Sequence, residues 1–362
     1  MSAPLSALRA FLKPALAVAG CCAALVASEA GPATPQPFVD SIDLPAQASP
    51  LAARSPVMAL ARAGQRLVAA GVRGHILWSD DGGQRWQQAR VPVSTDLVGL
   101  SFPTPTHGWA VGHGGVVLHS HDGGQTWQRQ LAGLDAVRAA VKAYEAQPPK
   151  DPQLLPALTA QAQDPRGEPF LDVHFWNERS GFIVGTFGSI FRTDDGGRHW
   201  VPWMDRVDNP GALNFFAIRG RGERVFITGE QGKVWRLDPQ AQRFVAFATP
   251  YSGTLFGLHV GSPGVVIAFG MRGALLRSSD DGTTWTQLPA PTAAGLTAAT
   301  ETAGGRLVLA DQAGNLLTSL DGGATFQRTA TQPPAPIFAL AGAGGSAVVL
   351  GGPIGLLPQA LP

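Results

Sequence analysis

Short runs of alternating apolar and polar residues, separated by glycine, aspartate and proline, recur along most of this chain. Alternation with a period of two is typical of strands that bury one face, and the separating residues are typical of tight turns. In the best-defined unit this pattern predicts four strands, over residues 97–102, 109–112, 116–121 and 126–131. Neighbouring strands joined by such short turns predict a small antiparallel sheet.

An acidic, glycine-rich phrase follows the third predicted strand of most units. Complete copies of this phrase lie at residues 79–86, 120–127, 193–200, 278–285 and 319–326, and a degenerate copy starts at Arg236 and ends at Phe244. The aromatic residues that close successive copies are 41 to 44 residues apart, except for Trp127 and Trp200, which are 73 apart. A repeat near 40 residues with four strands predicts the blade of a β-propeller.

Seven units can be counted, which predicts an all-β fold with seven blades. They begin near Val57, Leu97, Leu171, Phe215, Leu255, Leu296 and Ile337. The last unit, 337–362, has room for three strands at most, whereas residues 38–44 form a spare predicted strand ahead of the first unit. We expect the spare strand to pair with the last unit, because closing the ring removes an exposed strand edge.

The long interval between Trp127 and Trp200 predicts an insertion at 132–168, between blades two and three. A helical apolar stripe runs through Leu131, Leu134, Val137, Val141 and Tyr144. A proline pair at 148–149 ends this helix, and residues 154–163 can form a second short helix. The insertion is a lid, a docking arm or a packed decoration without a ligand.

Residues 1–30 have the pattern of an export signal, with the propeller occupying 31–362. Arg9 and Lys13 flank the start of an apolar run at 15–26, and small residues at 28–30 form a cleavage site. The run is shorter than the roughly 20 residues that cross a bilayer. A lipoprotein signal with Cys21 as the lipidated residue is the alternative. Both predict export, and we expect a periplasmic location.

Composition narrows the function classes. The chain has 362 residues, a formal net charge of +1 and only 15% charged residues. A nucleic-acid partner is not expected, because phosphates require a basic surface. Cys21 and Cys22 are the only cysteines, and the export signal contains both. With cleavage at 28–30, the mature chain would contain no cysteine, and we then expect no disulfide or thiolate metal site. We expect no metal and no cofactor.

Strand order places two kinds of turn on opposite sides of the ring. Turns between second and third strands share a side with the links between blades, whereas the acidic phrase lies on the other side. We call the first set the tips and their side the tip face; the tips are residues 71–74, 112–115, 185–188, 229–232, 270–273, 311–314 and 352–355. Glycines bracket variable central residues at these turns, as in many binding loops. We predict that a partner contacts Arg73, His113, Phe187, Glu230, Gln231, Met271, Arg272 and Asp311.

The acidic phrase is the Asp-box known from sialidase-like propellers. Its aspartates, Asp81, Asp122, Asp195, Asp280 and Asp321, are expected to accept hydrogen bonds from backbone amides of the turn. A sialidase would also need an arginine cluster and a tyrosine nucleophile. Only Tyr144 and Tyr251 are present, and the Arg-Ile-Pro motif is absent. His113, His119 and His121 lack a carboxylate at metal-binding spacing. We expect no enzymatic activity; a carbohydrate-active or carbohydrate-binding protein is the alternative.

The combination of a Gly-x-x-Gly tip, a third strand and Ser-x-Asp-Gly-Gly-x-Thr-Trp resembles the photosystem II stability/assembly factor family. The resemblance covers nearly all of 38–362. It is closest to an exported proteobacterial branch, through the phrases at 73–77 and 108–113 and the helical insertion. Members of the photosynthetic branch are assembly chaperones that hold a membrane-protein precursor with a basic patch. The proteobacterial branch resembles accessory proteins of RND-type exporters.

The resemblance implies a non-enzymatic accessory factor for a membrane protein or an exporter component. Arg73 and Arg272 match the basic patch in kind, whereas Glu230 and Asp311 dilute it. Peripheral association with a membrane is compatible with this role, and we expect a monomer.

Overall fold

The computed structural model describes residues 39–164 and 167–361. Within these ranges the strands form seven antiparallel sheets, six with four strands and one with three. The order of strands within each sheet follows the chain, so every blade is a simple meander. The prediction of seven blades is confirmed. The predicted export signal and Cys21 lie outside the described residues.

The blades follow one another along the chain with short links. Blade one contains β1 (Val57–Ala63), β2 (Arg66–Gly71), β3 (Ile76–Ser79) and β4 (Gln87–Gln88); blade two, β5 (Leu97–Ser101), β6 (Gly108–Gly112), β7 (Val116–Ser120) and β8 (Gln128–Leu131); blade three, β9 (Phe170–Phe175), β10 (Gly181–Gly185), β11 (Ile190–Thr193) and β12 (Val201–Pro202); blade four, β13 (Phe215–Arg221), β14 (Arg224–Gly229), β15 (Lys233–Asp238) and β16 (Arg243–Ala248); blade five, β17 (Leu255–Val260), β18 (Val266–Gly270), β19 (Leu275–Ser278) and β20 (Thr286–Gln287); blade six, β21 (Leu296–Glu301), β22 (Leu307–Asp311), β23 (Asn315–Ser319) and β24 (Gln327–Ala330); and blade seven, β25 (Ala339–Gly344), β26 (Ala347–Gly352) and β27 (Gly355–Ala360).

The first strand of each blade is the innermost and faces a central channel. Neighbouring first strands contact each other around the whole ring, including β25 against β1. The channel has a cavity volume of about 450 Å³ and is lined by residues of all seven first-strand segments. In blades one to six a β-bulge interrupts the pairing of the first strand at its beginning.

Ring closure differs from the prediction. Residues Ser41–Asp43 form a 3-10 turn rather than a strand, because the Asp40 carboxylate accepts a hydrogen bond from the Ile42 amide. This segment lies against blade two: the Ser94 amide donates to the Ser41 carbonyl, and Arg129 binds the Ile42 carbonyl. Pairing with blade seven is therefore wrong for the described part of 38–44.

Blade seven instead joins blade one through side chains. Leu67 of blade one packs in one buried cluster with Ala341 and Val349 of blade seven. Arg62 donates a hydrogen bond to the Gly342 carbonyl at 2.8 Å. The ring is closed by the same kind of apolar packing that joins consecutive blades.

The insertion between blades two and three contains two helices, α1 (Asp135–Ala146) and α2 (Leu154–Gln161). The buried face of α1 is formed by Ala136, Ala140 and Tyr144. Tyr144 belongs to the predicted stripe, whereas Ala136 and Ala140 each precede a valine of that stripe by one residue. These side chains pack into a cluster with Phe170 and Phe191 of blade three. Of the three readings of the insertion, the packing agrees best with a decoration fixed to blade three. Neither α1 nor α2 has the length and apolar character needed to cross a bilayer; this holds for all helices in the described ranges.

Candidate partner-binding face

The tips lie on the same side as the links between blades, as strand order predicts. The Val72 amide donates to the Pro56 carbonyl, and the Met271 amide to the Thr254 carbonyl, so each of these tips is tied to the link that enters its own blade. The Gly232 amide donates to the Gly253 carbonyl in the link that leaves its blade. Tips and links therefore form one continuous surface around the channel mouth.

Four tips hold a bulky residue in left-handed backbone geometry. Arg73, Phe187, Gln231 and Arg272 have φ values of 53° to 56°, whereas Gly114 fills this position in blade two. A side chain in this region costs about 1 kcal/mol or more relative to glycine. Polar link residues help to hold the geometry: the Arg73 amide donates to Asp96 Oδ1 at 2.9 Å, and the Phe187 amide to Asn214 Oδ1 at 2.7 Å. The turn thereby presents these side chains outward.

Most of the predicted partner-binding residues are exposed on the tip face. Phe187 is 55% exposed and Met271 is 40% exposed, both large fractions for apolar side chains. Arg73, His113, Gln231 and Arg272 are also exposed. The structure thus brings these six residues together on one surface.

Asp311 does not belong to this surface. It is completely buried, and its carboxylate accepts hydrogen bonds from the Ala313 amide, the Asn315 amide and side chain, and the Thr292 hydroxyl. Asp311 stands where other tips have their first glycine, and its carboxylate holds the turn in shape. Its prediction as a partner-binding residue is wrong.

Glu230 is half-buried and its carboxylate accepts hydrogen bonds from the Asn214 amide and side chain. Both carboxylates expected to dilute the basic residues are therefore engaged within the protein. In contrast, no partner within the described residues holds the guanidinium groups of Arg73 and Arg272. The exposed charged side chains of the tips are therefore the two arginines.

A groove that the sequence did not reveal lies beside Arg73. It has a volume of about 710 Å³ between residues 44–55 and the tip of blade one. Leu44 and Leu51 line it and are 43% and 58% exposed. His75 lines it too, and its buried Nδ1 has no hydrogen-bond partner among residues 39–164 and 167–361. The sequence feature that could have indicated this groove is the pair Leu44 and Leu51, which lies in a segment without the alternation of a strand.

On the opposite side, the Asp-box carboxylates are used by their own turns. Asp280 Oδ1 accepts from the Thr284 amide and the Ser278 hydroxyl, and Asp280 Oδ2 from the Thr284 hydroxyl. The Thr284 hydroxyl and amide hold the pKa of Asp280 at about 2. Burial would raise the pKa of Asp195, but hydrogen bonds from the His199 amide and ring outweigh it, and the value is about 2. The predicted structural role of the Asp-boxes is confirmed.

The adjacent carboxylates in the Asp-boxes have separate structural partners. In blade one, Asp81 binds its turn while Asp80 forms an ion pair with Arg66 at 2.7 Å. Arg66 also donates to the Gly123 carbonyl in the Asp-box of blade two. In blade three, Asp194 pairs with Arg192. Asp80 and Asp194 are thus each held by an arginine, and the Arg66 side chain also connects blade one to blade two.

The two tyrosines lack the features of a glycosidase nucleophile. Burial, together with the hydrogen bond to Asp205, raises the pKa of Tyr144 well above its usual value. Its hydroxyl donates to Asp205 Oδ1 at 2.8 Å. The Tyr251 hydroxyl donates to the Met271 carbonyl, and so supports the tip of blade five. Among the described residues no cluster of three or more His, Cys, Asp or Glu could hold a metal ion.

Comparison with known proteins agrees with the repeat pattern. The chain matches the sequence model of a family described as "Photosynthesis system II assembly factor YCF48" over residues 79–144 and 160–238. It is 27% identical over 182 residues to "Photosystem II assembly protein Ycf48" of Synechococcus sp. (strain JA-2-3B'a(2-13)). That match covers 43% of this chain and 53% of the relative, so it spans about half of the relative's length.

Solved structures of low sequence identity share the fold. "YCF48 bound to D1 peptide" aligns with a TM-score of 0.62 and 20% identity, covering 86% of this chain and 94% of that chain. YCF48 from Cyanidioschyzon merolae aligns with a TM-score of 0.61 and 17% identity, covering 86% and 97%. The WD40 propeller domain of Doa1 aligns with a TM-score of 0.59 at 7% identity, covering 88% and 95%. The chain is therefore a seven-bladed β-propeller whose repeats resemble those of the photosystem II assembly factor Ycf48.

Proposed function

We propose that this chain is a non-enzymatic, protein-binding assembly or accessory factor for a membrane protein complex, and that its partner binds the tip face. The observation that carries the proposal is the surface itself: unpaired Arg73 and Arg272 stand at tips that also expose Phe187 and Met271. Aromatic, methionine and arginine side chains are enriched at protein interfaces.

The similarity to Ycf48 supports an assembly role, and one structure of a similar propeller contains a D1 peptide. We propose a comparable kind of partner here, an exposed segment of a membrane protein. An exporter component of the RND type and a periplasmic location extend the proposal, based on the sequence pattern of 1–30 and the resemblance to the proteobacterial branch. Binding as a monomer is part of the same proposal.

The carbohydrate-active alternative is not favoured. It would require free carboxylates and an activated tyrosine, whereas the Asp-box aspartates and both tyrosines are engaged in structural hydrogen bonds. The tip face offers cations and apolar side chains instead.

Site-specific photo-crosslinking in the native host tests the proposal. A photoreactive residue at position 187 or 271 is expected to yield a crosslink to a membrane protein that mass spectrometry identifies. The same residue at Leu320, which is 80% exposed within the Asp-box of blade six on the opposite side, is the matched control. Equal crosslinking from position 320 would contradict the choice of face.

Charge reversal provides an independent test. In the double variant Arg73→Glu/Arg272→Glu we expect at least a ten-fold loss of partner recovered from solubilised membranes. The control Arg198→Glu/Arg328→Glu makes the same change in net charge at exposed residues outside the tips. Unchanged recovery with the first variant would refute the role of the two arginines.

A further inference from the structure

The mouth of the central channel on the tip face is surrounded by one residue from each blade. In blades one to six this residue is the extra residue of the bulge that opens the first strand, and in blade seven it directly precedes β25. The seven residues are Met58, Val98, Leu171, Phe216, Phe256, Thr297 and Phe338, and all of them line the channel. A bulge redirects the side chain of its extra residue. The six bulges therefore turn six side chains toward the channel.

The composition of this ring is unusual for a surface that water can reach. Six of the seven residues are apolar, three of them are phenylalanine, and all are only half-buried. Phe216 and Phe256 meet edge to face, with ring centroids 5.9 Å apart. We call these seven residues the mouth ring. A contiguous apolar patch on a soluble protein usually marks an interaction site.

The other end of the channel has a different character. Arg62, His174 and Arg219 line it near the Asp-box side. Arg219 forms an ion pair with the buried Asp172, and Arg62 binds the carbonyls of Gly64 and Gly342. Arginine and histidine side chains therefore line the Asp-box end, whereas the mouth ring surrounds the tip-face end beside the exposed tips.

We infer that the mouth ring is an anchor pocket for a partner segment that inserts one aromatic or long aliphatic side chain, with acidic residues beside it. The acidic flanks follow from charge complementarity, since Arg73 and Arg272 are exposed at the tips, whereas Glu230 is half-buried and Asp311 is completely buried. A second copy of this chain is a poor occupant, because two facing tip surfaces would bring like charges together. The inference rests on the proposed use of the tip face and names the chemistry of the bound segment.

A pair of synthetic peptides tests the inference. One has phenylalanine between two pairs of acidic residues, and the other has alanine at that position. The wild-type protein should bind the phenylalanine peptide about ten-fold more tightly in a fluorescence anisotropy assay, a difference typical of one buried aromatic side chain. Equal affinity for the two peptides, or no binding of either at millimolar concentration, would overturn the inference.

Substitutions in the mouth ring test whether the preference for the phenylalanine peptide arises there. Phe216→Ser/Phe256→Ser should reduce the ten-fold preference to about one, while the control Leu320→Ser should retain it. If circular dichroism shows that the double variant is unfolded, Phe338→Ser takes its place. Arg272→Gln should weaken both peptides by a similar factor and leave the preference intact. A preference that survives all mouth-ring substitutions would place the anchor elsewhere and refute the inference.

Two outcomes separate this inference from the proposed function. Equal binding of both peptides that is lost in Arg73→Glu/Arg272→Glu would keep the tip face as the binding surface and reject the anchor pocket. Self-association of the wild type in sedimentation velocity, abolished by Phe216→Ser/Phe256→Ser, would show that a second copy occupies the mouth and would also reject the inference.

Discussion

In each complete Asp-box the aspartate accepts hydrogen bonds from donors within the same eight residues. In blade two, Asp122 accepts from the Ser120 hydroxyl, the Gln125 amide, and the Thr126 amide and hydroxyl, at 2.6 to 3.0 Å. The Trp127 indole donates to the Gly124 carbonyl at 3.0 Å. All partners lie within a few residues of one another, and for this reason the role of the aspartate could be predicted from the sequence.

We expect Asp122→Ala to lower the free energy of unfolding by about 1–3 kcal/mol, because two backbone amides and two hydroxyls lose their acceptor. Urea unfolding followed by tryptophan fluorescence measures the change. Asp238→Ala is the control, since Asp238 in the degenerate copy accepts hydrogen bonds from two amides, those of Gln240 and Ala241. An equal loss in both variants would argue against the larger role of the complete Asp-box.

The left-handed tip residues make a second prediction at this scale. Phe187→Gly should raise the free energy of unfolding by about 0.5–1 kcal/mol, since glycine adopts the observed φ of 53° without strain. Phe187→Ala removes the same ring but keeps the Cβ atom, and should give no such gain. Thermal unfolding of both variants provides the comparison, and equal values would refute stored strain at this tip.

His119 predicts a dependence of stability on pH. Burial, together with the nearby His107 and His121, lowers the pKa of His119 to about 4 from its ordinary value of 6.5. Between pH 4 and 6.5, His119 binds more protons in the unfolded chain than in the folded chain. The free energy of unfolding therefore has its full value above pH 6.5 and decreases as the pH falls toward 4. Urea midpoints from pH 7.5 to 4.5 should decrease less in His119→Gln than in the wild type; parallel curves would contradict the prediction.

At the scale of elements, the sequence predicts the strands of the blades well, but it does not predict the conformation of the segment ahead of blade one. The alternation of residues 97–131 predicted all four strands of blade two, and the structure shifts their ends by only one or two residues. Residues 38–44 mix apolar and polar side chains as a short strand would, but the Asp40 side chain binds the Ile42 amide and residues 41–43 form a 3-10 turn instead. A local hydrogen bond thus favours the turn over the predicted strand.

For the insertion and the tips, too, the sequence predicts the element but not the contacts that bury its side chains. Helix α1 was predicted with its end at the proline pair, yet its buried face depends on Phe170 and Phe191 of blade three, which a helical stripe does not specify. Asp311 was assigned to the surface because its tip position suggested exposure. The four groups that donate hydrogen bonds to its carboxylate belong to residues between 292 and 315, and only the fold brings them together.

At the scale of the whole molecule, the contact between blades one and seven carries ring closure. Val349 is completely buried there beside Leu67. We expect Val349→Ala to lower the free energy of unfolding by about 1–2.5 kcal/mol through lost apolar contact and a small cavity. Calorimetry should still show one transition, because the closed ring unfolds as one cooperative unit.

Val184→Ala is the matched control, since Val184 is equally buried where blades three and four meet. The two variants should lose similar stability if closure uses ordinary blade-to-blade packing. A separate early transition in Val349→Ala alone would show that blade seven can detach, and would contradict a single cooperative ring.

The channel mouth could not be read from the repeats, although every residue around it was visible in the sequence. In blades one to six this residue is second in its first strand, where alternation alone gives no reason for it to face the axis. The bulge that turns it arises from the pairing of two strands, and it becomes apparent only when the blades are superimposed on one another.

Closure without a strand borrowed from the far end of the chain has an evolutionary consequence. Every sheet in the described ranges is formed by one continuous stretch of the chain. Duplication or loss of one such stretch would leave the remaining sheets whole, and would change only the circumference of the ring. An architecture of this kind can be lengthened or shortened by unequal recombination, and its binding loops can diverge one copy at a time.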